Sequence, residues 1–260
     1  DVLLSVGGLL GVWALPAIPP LSEVTRPGLT ALREAVSYLK TAPAVTWGFV
    51  IDILAMTFGR PYVLLPAVGA LVIGGGPVTV GVLTAAGAIG SFLASLFSGP
   101  VSHVHRHGVA LVNAVAAYGG FVVLFGVVVG VMQTGWFGPV GASFAQVNWV
   151  ALILASIALA GTGASDEVSA IFRTSMLLTI VPDDMRGRLQ GIFFAVVHGG
   201  PRMGDLYAGI AAGLVALWFP PLFGGIVIIV AMFTILRFSS ELRTYDARTA
   251  ISDGAKATLD

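Results

Sequence analysis

Cysteine is absent from this 260-residue chain. That excludes disulfides and any cysteine-based metal or redox centre. Charge is scarce: thirteen Lys/Arg and thirteen Asp/Glu make up 10% of the residues, against about 25% in a soluble domain. The formal net charge is zero, so there is no basic surplus to attract nucleic acid. Three whole stretches, near 74–77, 130–148 and 218–221, hold no charged residue. A P-loop, a nucleophile elbow, an HExxH pair and a dinucleotide-binding glycine fingerprint are all missing. Gly74-Gly75-Gly76 falls between two apolar spans and reads as a turn, not a phosphate cradle. No cofactor is expected.

What remains is apolar. Hydrophobic residues make up 57% of the chain, and the mean hydropathy is +0.95. Seven apolar stretches run over 2–18, 45–72, 78–101, 108–131, 148–175, 189–217 and 220–238. A bilayer-crossing helix needs roughly 20 such residues, because its backbone must satisfy itself without water. The expected fold class is therefore an all-α transmembrane helical bundle. Arg26, Arg33, Lys40, Arg106, Arg186, Arg188, Arg237, Arg243, Arg248 and Lys256 fall in every second gap or in the tail. Basic loops stay on the cytoplasmic side during insertion, so residues 21–44, 102–108, 182–188 and the C-terminus are expected in the cytoplasm of a cell-membrane protein.

The chain opens at Asp1-Val2-Leu3-Leu4, already at the edge of an apolar run. This reads as a transmembrane helix of a longer protein cut near its start. The division expected is 1–20, a truncated helix; 21–44, a linker; 45–240, six spans; and 241–260, a polar tail. In the linker, Leu29, Leu32, Ala35, Val36 and Leu39 repeat at helical spacing against Arg33, Glu34 and Lys40, which predicts an amphipathic helix on the inner membrane surface. Gly81, Ala85 and Ala88 in one span, and Gly209, Ala212 and Gly213 in another, predict close helix approach.

Charges within the spans are candidate functional residues, because each costs at least about 2.5–3.5 kcal/mol at the bilayer centre. They are Asp52, Arg60, Asp166, Glu167, Arg173, Arg202 and Asp205. Helical spacing puts Arg202 with Asp205, Asp166 with Arg173 and, more loosely, Asp52 with Arg60 on shared faces. The alternative is that such pairs only lock helices together. Gly199-Gly200-Pro201 with Gly204 predicts a kinked, hinge-like helix, since proline removes a donor and glycine weakens the turn. A plain packing kink is the other reading. His103, His105 and His107 alternate on a short loop with no nearby carboxylate, which favours a weakly basic anchor over a metal site. His198 can relay protons or hydrogen-bond within the bundle. Phe49, Phe58, Phe172, Phe193 and Phe194 can line a cavity or pack against core and lipid.

Four segments resemble a known family. Val181-Pro182-Asp183-Asp184-Met185-Arg186-Gly187-Arg188 resembles the inner loop between helices 10 and 11 of the major facilitator superfamily, in particular its enterobactin-exporter-like branch. Phe49–Gly59 looks like that branch's helix 7, Ala164–Thr174 its helix 10 and Gly199–Asp205 its helix 11. The resemblance implies two six-helix halves working by alternating access, with this chain as helix 6 plus the C-terminal half and the N-terminal half missing. Asp183, Asp184, Arg186 and Arg188 then form a gating loop, and Gly199, Gly200, Pro201 and Gly204 a hinge. The stretch Gly99–Gly108 keeps Gly99, Arg106 and Gly108 but lacks the family's usual acid.

The function expected is secondary export of small amphipathic molecules coupled to protons. The partners are substrate, protons, membrane lipid and the missing half; no nucleic acid is involved and no enzyme activity is expected. Any of Asp52, Asp166 or Asp205 is a candidate proton carrier. Arg60, Arg173 and Arg202 would tune those acids or meet an anionic substrate. Two other classes stay open: a non-transporting structural or receptor-like membrane protein, and a membrane-embedded enzyme.

Overall fold

The computed structural model describes residues 2–13, 29–99, 101, 104–135, 140–141, 143, 146–181 and 183–244. Among these the regular structure is entirely helical. Five helical stretches are long and apolar enough to cross a membrane: Pro43–Ile73, Gly76–Leu96, His107–Gln133, Trp149–Ile180 and Phe219–Phe238. A sixth, Asp183–Leu214, has 32 residues, about 48 Å at 1.5 Å per residue. It carries Arg188, Arg202 and Asp205 and stands outside that apolar set. The expectation of an all-α transmembrane bundle holds.

In chain order the α-helices are α1 (Val2–Trp13), α2 (Leu29–Leu39), α3 (Pro43–Phe58), α4 (Leu65–Val68), α5 (Gly76–Leu96), α6 (His107–Gln133), α7 (Trp149–Ile180), α8 (Asp183–Leu214), α9 (Phe219–Phe238) and α10 (Ser240–Thr244). Residues 14–28, the loop positions Ser102, His103 and Pro182, and the tail from residue 245 lie outside the described residues.

The chain breaks where the sequence reading drew a continuous helix. The first long stretch stops at Phe58, turns at Gly59-Arg60-Pro61, and resumes as a 3-10 turn (Tyr62–Leu64), α4 and a π-helical turn (Gly69–Ile73). Pro61 supplies no backbone donor, and its ring disfavours helical geometry at Arg60. The other proline expected to disturb a helix, Pro201, lies inside α8, which stays helical through it. The expected tight turn after Ile73 is present. Gly74, Gly75 and Gly76 have φ of 89°, 77° and 52°, a region side chains rarely adopt. α7 starts at Asn148, whose side chain accepts from the Ala151 amide at 3.0 Å, satisfying one free N–H of the first turn.

Packing divides the bundle by depth. One cluster joins α4, α5, α6 and α7 around Leu65, Leu83, Phe125 and Leu159. A second joins α3, α6, α7 and α9 around Ile51, Val115, Phe172, Ile228 and Met232. A third, smaller cluster seats Ala42, Val45 and Phe49 against Leu177, Val181 and Leu189, with Tyr38 and Leu39 of α2 packed on it. The amphipathic linker helix exists, and part of its apolar face is spent on protein. Close approaches occur, but at other glycines than those expected: Gly81, Gly209 and Gly213 face open space, because the side of a helix that meets a neighbour is set by packing. A Cβ on Gly90 would run into the Ala160 backbone, and one on Gly163 into the Gly87 carbonyl. α8 packs chiefly on α3, and Phe194, Met203, Leu206, Ile210 and Leu214 leave it exposed.

Candidate functional site

The mid-span charges converge on α3 and α7. Asp52 and Arg173 form an ion pair between these two helices, with Asp52 fully buried and Arg173 8% exposed. Asp166, two turns earlier on α7, lies 3.5 Å from the other arm of the Arg173 guanidinium. Its side chain is 43% exposed, so it is the open member of the group. The spacing argument for Asp166 with Arg173 therefore holds. Asp52 turns to Arg173 and not to Arg60, because the helix break at Gly59 carries Arg60 out of register with Asp52. A buried carboxylate and guanidinium are tolerable only as a pair, and this one ties α3 to α7.

Arg60 sits at the break. Its guanidinium lies 5.3 Å from the Tyr62 ring centroid, within cation–π range, and Nη1 lies 3.8 Å from Met56 Sδ. Arg60, Tyr62, Ser91, Tyr118, Thr162 and Asp166 line one partly enclosed polar cavity of about 120 Å³. Polar atoms from the break, α5, α6 and α7 thus meet in one place. Ser91 donates to the Gly163 carbonyl at 3.0 Å, and Thr162 to the Leu159 carbonyl at 2.7 Å. Tyr118 donates to the Gly59 carbonyl at 2.7 Å.

A second space is larger and mostly apolar. It is a groove of about 610 Å³ between α3 and α8, lined by Ile53, Thr57, Ile192, Val196, Gly199, Gly200 and Met203, with Arg188 toward the start of α8. Pockets that hold small molecules span about 300–1,000 Å³. Gly204 lets α8 come close to the end of α3. A Cβ there would meet the Met56 and Thr57 carbonyls.

The remaining candidates scatter. Arg202 is exposed and Asp205 half-buried, and no ion pair joins them among the described residues. The helical-turn spacing that suggested one is overridden, because α8 leaves Arg202 on its open face. Glu167 is half-buried beside Asp166. Arg188 pairs with Glu34 of α2 at 2.7 Å. Asp183, Asp184 and Arg186 occupy the first turn of α8, and their side chains lie outside the described residues. His198 Nδ1 is 2.8 Å from the Phe194 carbonyl, a bond within its own helix. Among the described residues no group of three His, Asp or Glu could hold a metal ion.

Sequence reasoning missed Tyr62, Ser91, Tyr118 and Thr162. Tyr118 had a usable signal: a phenol amid the apolar span 108–131 must find a partner when buried.

The enterobactin exporter EntS of Citrobacter koseri is 26% identical over 250 residues, covering 95% of this chain and 54% of that protein. EntS of Escherichia coli O157:H7 is 27% identical over 252 residues, covering 95% and 55%. EntS of Salmonella typhimurium is 26% identical over 248 residues, covering 94% and 54%. The chain is a homologue of enterobactin exporters. This bears out the resemblance to the enterobactin-exporter-like branch of the major facilitator superfamily. With its apolar helices, the chain is a multi-pass membrane protein, and its relatives point away from an enzyme. It spans about half the length of the curated relatives it matches. No protein-family model matches the chain, and no solved structure does.

Proposed function

We propose that this chain supplies one half of a secondary exporter that moves small amphipathic molecules outward in exchange for protons, by alternating access. Residues 45–240 would be its C-terminal six-helix half, 1–20 the end of helix 6, 21–44 the inner linker and 241–260 a cytoplasmic tail. The observation that carries the reading is the carboxylate of Asp166, open to a polar cavity near the middle of α7 and set between the guanidinium of Arg173 and the Arg60 that lines the same cavity. A charge held there is costly, and such residues usually serve transport. Asp52 locks Arg173 and leaves Asp166 free to exchange its proton. Arg202, on the open side of α8, and the half-buried Asp205 would face the partner half and the translocation path, with Arg188 and the first-turn residues Asp183, Asp184 and Arg186 of α8 closing the inner end.

The groove between α3 and α8 would form one wall of the substrate site, with the N-terminal half as the other. The relatives' name makes a siderophore of the enterobactin kind the first substrate to test. The whole protein would be reconstituted in liposomes and enterobactin efflux driven by an imposed pH gradient. Asp166→Asn should retain enterobactin binding and lose gradient-driven efflux. Efflux at the wild-type rate in that variant would remove the basis for the reading.

A further inference from the structure

We infer that Tyr118 is a positioning residue for the proton step: its hydroxyl caps the helix break at Gly59 and so holds Arg60 to the cavity that Asp166 lines. The inference rests on the reading of Asp166 as proton carrier.

The chain must satisfy the carbonyls that a break releases. In a continuous helix the Gly59 carbonyl would accept from residue 63, but Pro61 diverts the chain and the next turn closes on itself, Leu64 N donating to the Pro61 carbonyl at 2.9 Å. Gly59 is buried, so its carbonyl has no water to fall back on. Tyr118 reaches across from α6 and donates to it at 2.7 Å. The fit is close: a Cβ on Gly59 would strike the Tyr118 ring. The phenol therefore fixes where the break sits.

Arg60 depends on that position. Its own side-chain partners are weak, a thioether at 3.8 Å and an aromatic face at 5.3 Å. Its Nε is buried with no hydrogen-bond partner. With side-chain contacts this weak, the backbone at Gly59–Pro61 does most to set the guanidinium at the cavity edge. The charged and titratable groups around Asp166 are few. The break contributes Arg60 and Tyr62, α6 contributes Tyr118, α3 contributes Asp52 through Arg173, and α7 adds Glu167 and Arg173. α5 presents only Ser91. Arg173 also acts on Asp166, at 3.5 Å, but is anchored by Asp52; Arg60 is the neighbouring cation whose position the break controls, and moving it changes the proton affinity of Asp166.

The test needs no substrate. Carboxylic-acid C=O stretching bands of the full-length protein in lipid are followed by infrared difference spectroscopy across pH, for wild type, Asp166→Asn and Tyr118→Phe. Expression and thermal melting report folding. The titrating band should vanish in Asp166→Asn. In Tyr118→Phe, which keeps the ring and loses only the donor, the band should persist with its midpoint moved about one unit to more alkaline pH, as expected when a neighbouring cation retreats. An unmoved midpoint in folded Tyr118→Phe overturns the role of Tyr118 and leaves Asp166 standing. Identical titrations for wild type and Asp166→Asn overturn the underlying reading. If Tyr118→Phe does not fold, Pro61→Ala, which returns a donor to the break, is titrated in its place. The same alkaline displacement supports the inference, and an unmoved midpoint ends it.

Discussion

A buried guanidinium needs its charge matched, and Arg173 is matched twice, by Asp52 in the core and by Asp166 at the cavity. Removing one partner from a buried pair typically costs about 3–5 kcal/mol. Asp52→Asn should therefore lower the stability of the full-length protein by about 3 kcal/mol, the low end because Asp166 still faces Arg173. Replacing both Asp52 and Arg173 with neutral isosteres should recover much of it. Thermal melting in detergent measures both variants, and a double variant as unstable as the sum of the singles would show the pair is not coupled. Arg202 and Asp205 should behave oppositely. Among the described residues no ion pair joins them, so a double-mutant cycle over Arg202→Gln and Asp205→Asn should give a stability coupling below about 0.5 kcal/mol.

Elements in this bundle meet through their smallest residues. On α5, Gly90 lies against the Ala160 backbone, whereas Gly81 faces open space. Gly90→Ala should cost about 1–3 kcal/mol by forcing α5 from α7. Gly81→Ala should be neutral or slightly stabilising, since alanine is the better helix former. Melting temperatures of the two variants, compared side by side, test whether the α5–α7 seam is as tight as the geometry says. The contact between α2 and α8 is of another kind. Glu34 and Arg188 remain 47% and 27% exposed, and such ion pairs are worth about 0–1 kcal/mol. Glu34→Gln should leave the melting temperature nearly unchanged, because Tyr38 and Leu39 keep α2 seated on the cluster formed by α3, α7 and α8.

The chain spans about half the length of its curated relatives, and its helices keep large apolar side chains exposed. Phe194, Met203, Leu206 and Ile210 on α8 are exposed, as are Ile89, Phe92 and Leu96 on α5. Residues 1–260 reconstituted alone should give no gradient-driven flux, because a path between two halves needs both walls. Sustained flux from that chain would contradict the half-transporter reading. The distribution of basic residues predicts which side each loop occupies. Ser22→Cys or Ser102→Cys in the full-length protein, cleared of any other cysteine, should resist an impermeant thiol reagent added outside and react once the membrane is opened.

Much of this was written in one dimension. Apolar length gave five of the seven expected spans, Gly74–Gly76 gave the turn, and the rarity of charge within apolar stretches picked out Asp52, Arg60, Asp166 and Arg173, because membrane insertion penalises each polar residue locally. The partners those charges take were not legible. Spacing along α8 suggested Arg202 with Asp205, but which face of a helix is covered depends on its neighbours, and α8 has few. Likewise Pro61 and Pro201 look alike in sequence, yet one breaks its helix and the other does not. The break at Gly59 persists because Tyr118, 59 residues away, supplies the missing hydrogen bond. Only the packing of α6 against α3 could decide that, since a carbonyl's partner across the bundle leaves no trace in the residues beside it.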